Sequence, residues 1–134
     1  LVEKDAEVFE PLSKAYGLPK STEEEVRKRD ETLESTLRFA CSVPLRIMEK
    51  CIEAVSLHEE LLEKGSRIVL SDVGVGVVLC RSALMGASLN VFINTKMMKD
   101  RGIAQELNTK AVKLLEEGAE RCDAVYRRVE EQIK

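Results

Sequence analysis

The last third of the chain carries a long helical repeat that restricts the fold more than any other feature. From Ile103 to Ile133, apolar or small residues recur in steps of three and four over about eight helical turns. The set is Ile103, Leu107, Ala111, Leu114, Gly118, Cys122, Val125, Val129 and Ile133. This spacing predicts one long amphipathic helix, whose apolar stripe must be buried against other helices.

The segment from Leu70 to Asn94 is almost free of charge, although 34% of the residues in the protein are charged. One interpretation is a β-strand followed by a phosphate-binding loop, since Gly74 and Gly76 form a Gly-x-Gly pair. However, Leu79 stands where a dinucleotide-binding loop needs its third glycine, and the Gly-Lys-Ser/Thr sequence of a P-loop is absent. The loop interpretation is therefore the weaker one.

A helix accounts better for the same segment. At 100° per residue, a set of mostly small or polar positions falls within about 80° of one another. They are Asp72, Gly76, Leu79, Ala83, Gly86, Asn90 and Asn94. The other faces are apolar, which is typical of a helix at the centre of a bundle. We expect Ser71 to cap this helix, with Asp72 in its first turn.

The first half of the chain predicts further helices joined by short turns. The expected boundaries are Pro11 as a kink or local break, Ser21 or Thr22 as a helix cap, Pro44 as a kink or a new start, and Gly65 as a stop. Residues 1–134 are therefore predicted to form a single all-α domain, an antiparallel helical bundle. Its central, small-residue helix runs from about Ser71 to Met98, and its long amphipathic helix is C-terminal.

Composition excludes several classes of function. Lys and Arg number 21 against 24 Asp and Glu, and aromatic residues make up 4%, so we expect no nucleic-acid partner. The cysteines (Cys41, Cys51, Cys80 and Cys122) have apolar neighbours and no Cys-x-x-Cys pair, which predicts free thiols in a reducing cytoplasm. A zinc site is not expected, since His58 is the only histidine. No uninterrupted apolar run reaches the roughly 18 residues of a membrane span, so no membrane partner is expected.

The sequence resembles the formiminotetrahydrofolate cyclodeaminase and methenyltetrahydrofolate cyclohydrolase family. Ser71 to Asp100, SDVGVGVVLCRSALMGASLNVFINTKMMKD, is similar to its Ser-Asp-x-Gly-Val, Gly-Ala-x-x-Asn-Val-x-Ile-Asn and Asp pattern. Earlier segments match in the same order: DAEVF (Asp5 to Phe9), AYGLPK (Ala15 to Lys20), Arg29 and ACSVPL (Ala40 to Leu45). The resemblance covers essentially the whole chain.

Two departures accompany the resemblance. Val8 and Gly76 stand where the family has alanines. The family also has an additional N-terminal stretch of helices, with a Pro-x-Gly-Gly-rich segment, which this sequence does not contain. The resemblance therefore implies that the domain lacks its N-terminal helices and part of the folate pocket.

The resemblance also implies an activity. Family members are all-helical homodimers that act on one-carbon derivatives of tetrahydrofolate without a metal or redox cofactor. The cyclodeaminase converts 5-formiminotetrahydrofolate to 5,10-methenyltetrahydrofolate and ammonia, and the cyclohydrolase hydrolyses 5,10-methenyltetrahydrofolate to 10-formyltetrahydrofolate. The residues do not choose between the two reactions, nor do they say whether a formiminotransferase partner is fused or separate.

Both reactions need a group that moves protons around a tetrahedral carbon, and a carboxylate with a raised pKa suits that task. Asp72 is our first candidate, because apolar surroundings raise the pKa of a carboxyl group. Asp5 is the second. The candidates for substrate binding are Lys20, Arg29, Lys96 and Arg101 for the folate carboxylates, Asn90 and Asn94 for the pterin, and Ser71 and Asp100 along the site.

A non-catalytic helical bundle for protein assembly is the alternative, since buried polar residues can fix the register between subunits. One distance bears on both hypotheses. Asp72 and Asn90 are 18 residues apart, or roughly 27 Å along a helix. The two residues therefore serve different pockets, or a dimer brings the ends of two copies together.

Overall fold

Five α-helices make up most of the chain in the computed structural model, which describes all 134 residues apart from the side chain of Val2. They are α1 (Val2–Tyr16), α2 (Glu23–Ala40), α3 (Ser42–Lys64), α4 (Leu70–Met97) and α5 (Arg101–Ile133). A 3-10 turn, Arg67–Val69, leads into α4. Helices α3, α4 and α5 pack on one another, and α1 packs chiefly on α2. The predicted all-α helical bundle is confirmed.

The helix ends follow local chemistry. Thr22 caps α2 in a capping box: its Oγ1 accepts from the Glu25 N–H at 3.2 Å, and the Glu25 carboxylate accepts from the Thr22 N–H at 3.1 Å. Pro44 lies in the first turn of α3, where a proline is tolerated, and Pro11 stays inside α1. Gly65 ends α3, as predicted.

The expected cap at Ser71 is wrong. Helix α4 begins at Leu70, so Ser71 lies in its first turn beside Asp72. The physical reason is the 3-10 turn before it, whose last residue, Val69, runs directly into the helix. No side-chain cap forms at Val69, and no extended residue is left at Ser71 to act as one.

Helix α5 buries most of the predicted stripe. Ala111, Gly118, Cys122, Val125 and Val129 are buried, whereas Ile133 at the end of the stripe is 58% exposed. Gly118 lies where side chains from two other helices pack against α5. A Cβ added there would lie 2.5 Å from Leu84 Cδ2 of α4 and 2.7 Å from Ile52 Cδ1 of α3.

Helix α4 is covered on one side only, which differs from the buried helix that the sequence predicts. Its inner face (Val73, Val77, Leu84 and Val91) is buried against α3 and α5. Its outer face is exposed in this chain: Leu79 is 64% exposed and Leu89 is 66% exposed. The apolar pattern identified a helix that needs neighbours on all sides, and α2, α3 and α5 supply them on one side.

The expectation that no segment has the length and composition of a membrane span is wrong. The helical segment Arg67–Met97 spans 31 residues with a mean hydropathy of 1.8 in its most apolar window, which meets the length and composition of a membrane span. Counting uninterrupted apolar runs missed this, because isolated residues such as Arg81 interrupt the segment. Length and composition are shared by the core helices of bundles, and the packing of α4 on α3 and α5 favours a core helix.

The cysteines are free thiols, as predicted. Cys41, Cys51 and Cys122 are buried, and Cys80 is half-buried. Burial raises the pKa of both Cys41 and Cys122 to about 11. These buried thiols are therefore protonated and poorly reactive at neutral pH.

An ion pair joins α3 to α5 and makes stability depend on pH. Arg121 donates from Nε to Glu59 Oε1 at 2.9 Å and from Nη2 to Glu59 Oε2 at 2.6 Å. The hydrogen bond from Arg121 lowers the pKa of Glu59 from the ordinary value of 4.5. Because the folded state holds the lower pKa, the pair stabilises the fold above the unfolded pKa. That contribution is lost as the pH falls through the folded pKa.

We therefore expect the wild-type protein to lose its stability advantage over a Glu59→Gln variant on acidification. Urea unfolding of both proteins at about pH 7 and about pH 3 measures this difference. Lys64→Gln is the control, since it removes only an exposed ion pair with Glu60. An advantage over Glu59→Gln that is equal at both pH values would contradict the assignment.

Candidate active site

Three segments that are distant in sequence meet at one small cavity between α1 and α4. Its volume is about 120 Å³. The lining residues are Asp5, Val8 and Phe9 from α1, Ala40 from the end of α2, Pro44 from α3, and Asn90, Ile93 and Asn94 from α4. We call this the Asp5 cavity. It brings together three of the residues that the sequence singled out: Asp5, Asn90 and Asn94.

Local structure explains why these side chains converge. Asn90 and Asn94 are four residues apart and so lie one above the other on α4. Asp5 and Phe9 have the same spacing on α1. The wall between the two helices is formed by Ala40 and Pro44 at the α2–α3 junction. Both residues are buried and apolar, so this wall is apolar.

The cavity combines one carboxylate with two amides beside apolar walls. Asp5 and Asn94 are half-buried, and Asn90 is exposed. A carboxylate can take up and return a proton. An amide offers both donors and acceptors, which suits the edge of a heterocycle. This set can move protons on a bound molecule and orient it at the same time.

The structure does not support the reason for choosing Asp72 first. Asp72 is exposed in the first turn of α4, so its surroundings are not the dry ones that were expected. It also lies at the opposite end of a continuous helix from Asn90, roughly 27 Å away. Ser71 lines a different cavity of about 260 Å³ between α4 and α5, with Tyr126 and Glu130.

The predicted cations lie elsewhere, and the described lining of the Asp5 cavity includes none of them. Lys20 lines an open groove beside the α1–α2 turn, with Arg27 and Asp30. Arg29 is half-buried in α2, and Lys96 is exposed near the end of α4. Arg101 is already engaged, since its Nη1 donates to the carbonyl oxygens of Thr95 and Met98 at 3.0 and 3.1 Å.

Asp100 acts as a helix cap. Its Oδ1 accepts from the N–H of Ile103 at 3.0 Å and begins α5. Glu34 of α2, which the sequence did not single out, holds the same turn. Its carboxylate accepts from the N–H groups of Lys99 and Asp100 at 2.7 and 3.1 Å. The α4–α5 turn is thereby fixed against α2.

Sequence reasoning missed the apolar lining residues of the cavity. Phe9, Ala40, Pro44 and Ile93 were not proposed as site residues, yet each lies inside a segment that carries the family resemblance. The segments DAEVF, ACSVPL and NVFIN contribute the whole lining. The order of these segments in the sequence therefore indicated the site. Only the fold shows that the three segments meet at one cavity.

One departure from the family pattern has a local explanation. A Cβ added at Gly76 would lie 2.0 Å from Nε2 and 2.6 Å from Cδ2 of His58. The His58 ring is fixed there, because its Nδ1 donates to the Ala54 carbonyl at 2.7 Å. Glycine at position 76 therefore leaves space for the ring, where the family's alanine would collide with it.

Gly76→Ala is expected to destabilise the wild type by about 1 kcal/mol, although alanine favours a helix by about 1 kcal/mol over glycine. In a His58→Ala background the collision is gone, and the same change should stabilise the protein by about 1 kcal/mol. Urea unfolding of the four proteins measures the coupling, expected near 2 kcal/mol. Additive effects of the two changes would contradict the contact.

Comparisons with known proteins agree with the resemblance. The sequence model of the family described as formiminotransferase-cyclodeaminase matches residues 1–113. The methenyltetrahydrofolate cyclohydrolase of Methylorubrum extorquens is 35% identical over 133 residues, which cover 99% of this chain and 64% of that protein. The formimidoyltransferase-cyclodeaminase of Sus scrofa is 32% identical over 97% of this chain and 24% of its own length.

A solved structure is similar as well. The crystal structure of formiminotetrahydrofolate cyclodeaminase from Thermotoga maritima superposes with a TM-score of 0.71 at 30% identity, over 96% of this chain and 58% of that one. The chain thus spans less than two thirds of the length of each of these relatives. The similarity extends over nearly all of the present bundle.

Proposed function

The chain belongs to the formiminotransferase-cyclodeaminase family, and we propose from this membership that it is an enzyme domain acting on a one-carbon derivative of tetrahydrofolate. The reaction is either the closure of 5-formiminotetrahydrofolate to 5,10-methenyltetrahydrofolate with loss of ammonia, or the hydrolysis of 5,10-methenyltetrahydrofolate to 10-formyltetrahydrofolate. The observation that carries the proposal is the Asp5 cavity, where the three family segments meet.

Asp5 moves the protons in this proposal. For closure, N10 attacks the formimino carbon and loses its proton to the carboxylate. The carboxylic acid then returns the proton to the departing nitrogen, and ammonia leaves. For hydrolysis, water adds to the methenyl carbon and gives a proton to Asp5, after which the bond to N5 breaks and N5 is protonated. A positioned group of this kind contributes typically 10²–10⁴-fold to a rate.

The amides position the substrate. Asn90 and Asn94 bind the pterin edge through paired donors and acceptors. Lys20, Arg29 and Lys96 remain candidates for the carboxylates of the folate tail. Both reactions add and expel groups at a carbon whose oxidation state is unchanged, so neither needs a redox cofactor. We propose that no metal takes part either, because Asp5 can carry out the proton transfers that both reactions require.

The wider setting is also proposed. A homodimer in the cytoplasm is the assembly and location that we favour. A formiminotransferase partner, fused or separate, is supported by the Sus scrofa relative, a formimidoyltransferase-cyclodeaminase. The partner would supply 5-formiminotetrahydrofolate.

Two incubations test the activity. The protein is mixed with 5-formiminotetrahydrofolate and, separately, with 5,10-methenyltetrahydrofolate, and methenyl absorbance is followed in both. A rise in the first mixture indicates cyclodeaminase activity. A fall in the second, faster than in a buffer control, indicates cyclohydrolase activity. No change in either mixture, with the protein shown to be folded by circular dichroism, would contradict the proposal.

A non-catalytic assembly protein is the second candidate, and the exposed apolar face of α4 is the observation in its favour. The two functions differ in whether they require the Asp72 carboxylate. Asp72→Asn leaves the oligomer of an assembly protein intact, and it abolishes turnover if Asp72 belongs to a catalytic site. Measuring turnover and molecular mass on the same variant separates the two.

A further inference from the structure

The contact between α4 and α5 is apolar along most of its length. Buried residues on the two sides of this contact include Val73, Val77, Leu84 and Val91 of α4, and Ala111, Cys122 and Val125 of α5. Apolar contacts have no preferred direction, so they leave the rotation of each helix about its axis only loosely fixed. A directional contact is needed to fix that rotation.

A buried polar pair supplies a directional contact near the end of α4. Thr95 is 1% exposed, and its hydroxyl donates to Asn108 Oδ1 of α5 at 2.6 Å. The same hydroxyl lies 3.1 Å from the Phe92 carbonyl oxygen within α4, so the contact between the two helices is the shorter one. A polar group buried in an apolar contact fixes the register of two helices, because other registers leave it unpaired.

The main chain of Thr95 is held as well. Arg101, the first residue of α5, donates from Nη1 to the Thr95 carbonyl oxygen at 3.0 Å. Thr95 is therefore bound to α5 through its side chain and through its main chain. The ion pair of Arg81 and Asp123 also joins the two helices, but it is partly exposed and lies roughly 21 Å along α4 from Thr95.

The position of Thr95 determines where its neighbour Asn94 points. Consecutive residues of a helix point about 100° apart, so Thr95 faces α5 while Asn94 lines the Asp5 cavity beside α1. A helix with its side chains has a radius of about 5–6 Å, so a rotation of α4 by about 20° would move the Asn94 amide by about 2 Å. A displacement of this size breaks a hydrogen bond to a bound molecule, which requires a separation of about 2.7–3.2 Å.

We propose that Asn108 is a positioning residue for Asn94. Its hydrogen bond with Thr95 holds α4 at the rotation in which the Asn94 amide meets the pterin edge of a folate bound beside Asp5. Asn108 lies outside the described lining of the Asp5 cavity, so it acts on the substrate only through α4. This inference rests on the proposed function and deepens it, because it gives a residue outside the site a role in substrate binding.

Asn108→Leu tests this role, since leucine has nearly the same size and cannot accept a hydrogen bond. Asn94 contacts an edge of the pterin that does not react, so its displacement weakens substrate binding and transition-state binding equally. We expect KM to rise on the order of 5-fold, the effect of about one lost hydrogen bond, with kcat nearly unchanged. A purely structural role predicts the opposite, because partial unfolding lowers the amount of active protein and therefore the apparent kcat. A fall in kcat at constant KM, or no change in either constant, would overturn the proposal.

Variants of Thr95 show whether the hydrogen bond is responsible. Thr95→Val removes the hydroxyl with little change of shape and should raise KM as Asn108→Leu does, whereas Thr95→Ser keeps the hydroxyl and should retain the wild-type KM. Asp123→Asn is the matched control, since it weakens a contact between the same two helices far from the cavity. Its KM should equal that of the wild type. Equal KM values for Thr95→Val and Thr95→Ser would show that the hydroxyl has no such role.

A double-mutant cycle shows whether Asn108 acts through Asn94. If it does, Asn94→Ala removes the group that Asn108 positions, and adding Asn108→Leu should change KM by less than about 2-fold. Independent roles predict that the effects of the two substitutions multiply. Multiplied effects, or a wild-type KM in Asn94→Ala, would rule out the proposed role.

Binding of tetrahydrofolate separates this inference from the proposed function. Tetrahydrofolate carries the pterin but has no one-carbon group to react, so isothermal titration calorimetry can measure its Kd for the same set of proteins. If the wild type binds tetrahydrofolate but turns over neither folate, the proposed function fails, and the cycle in Kd still decides the role of Asn108. If the wild type is active and the two substitutions have independent effects, the inference alone fails. A wild type that neither turns over a folate nor binds tetrahydrofolate overturns both.

Discussion

Replacing Asp5 by Asn is expected to lower the rate of the folate reaction by about 10²–10⁴-fold, the contribution of a positioned proton-transfer group. Asparagine keeps the shape of the side chain and its hydrogen-bonding reach, but it cannot take a proton from N10 or from water. Because the amide still fills the cavity, the loss should fall on kcat rather than on KM. Initial rates at saturating and at low substrate concentration separate the two constants.

Glu7→Gln is the matched control for this change. Glu7 lies on the same helix, α1, and is exposed outside the Asp5 cavity. The Glu7→Gln substitution removes one negative charge, as Asp5→Asn does, but outside the Asp5 cavity. Turnover should therefore stay near the wild-type value. A fall in the rate of Glu7→Gln equal to that of Asp5→Asn would indicate a general electrostatic effect. A wild-type rate in Asp5→Asn would remove Asp5 from the mechanism.

The sequence predicts most of the helical framework, because helix formation depends on local patterns. The repeat through α5 and the stop at Gly65 both match the structure. At Thr22, the competing Ser21 is excluded by the reciprocal hydrogen bonds with Glu25. Such features involve residues a few positions apart, so a single sequence carries enough information to place them.

Surroundings that are supplied by distant parts of the chain are harder to predict. An apolar sequence around Asp72 indicated a buried acid, but the neighbours that would bury it are not provided by α3 and α5. Asp5 was ranked second because it lies on an amphipathic helix, and only the packing of α1 near Asn90 reveals its cavity. Periodicity gives the apolar character of a face, and it does not name the partner that covers the face.

The same limit applies to the packing around Gly118. Gly118 was predicted as one position of an apolar stripe, whereas the structure shows it as the point where α3, α4 and α5 converge. Leu84 occupies the space that this glycine leaves, and it is buried on the inner face of α4.

Leu84→Ala is accordingly expected to reduce the free energy of unfolding by about 3 kcal/mol, within the 2–5 kcal/mol typical of buried leucines. Leu84 is 1% exposed and packs against Gly118, which has no side chain with which to fill the resulting cavity. Leu57→Ala is the control, since Leu57 is 62% exposed and its truncation should change stability by no more than about 0.5 kcal/mol. Urea unfolding followed by circular dichroism at one fixed protein concentration measures both, because association would add a concentration-dependent contribution. A loss below about 1 kcal/mol for Leu84→Ala would mean that α3 and α5 can close around the missing side chain, and the packing at Gly118 would then not be the rigid centre of the bundle.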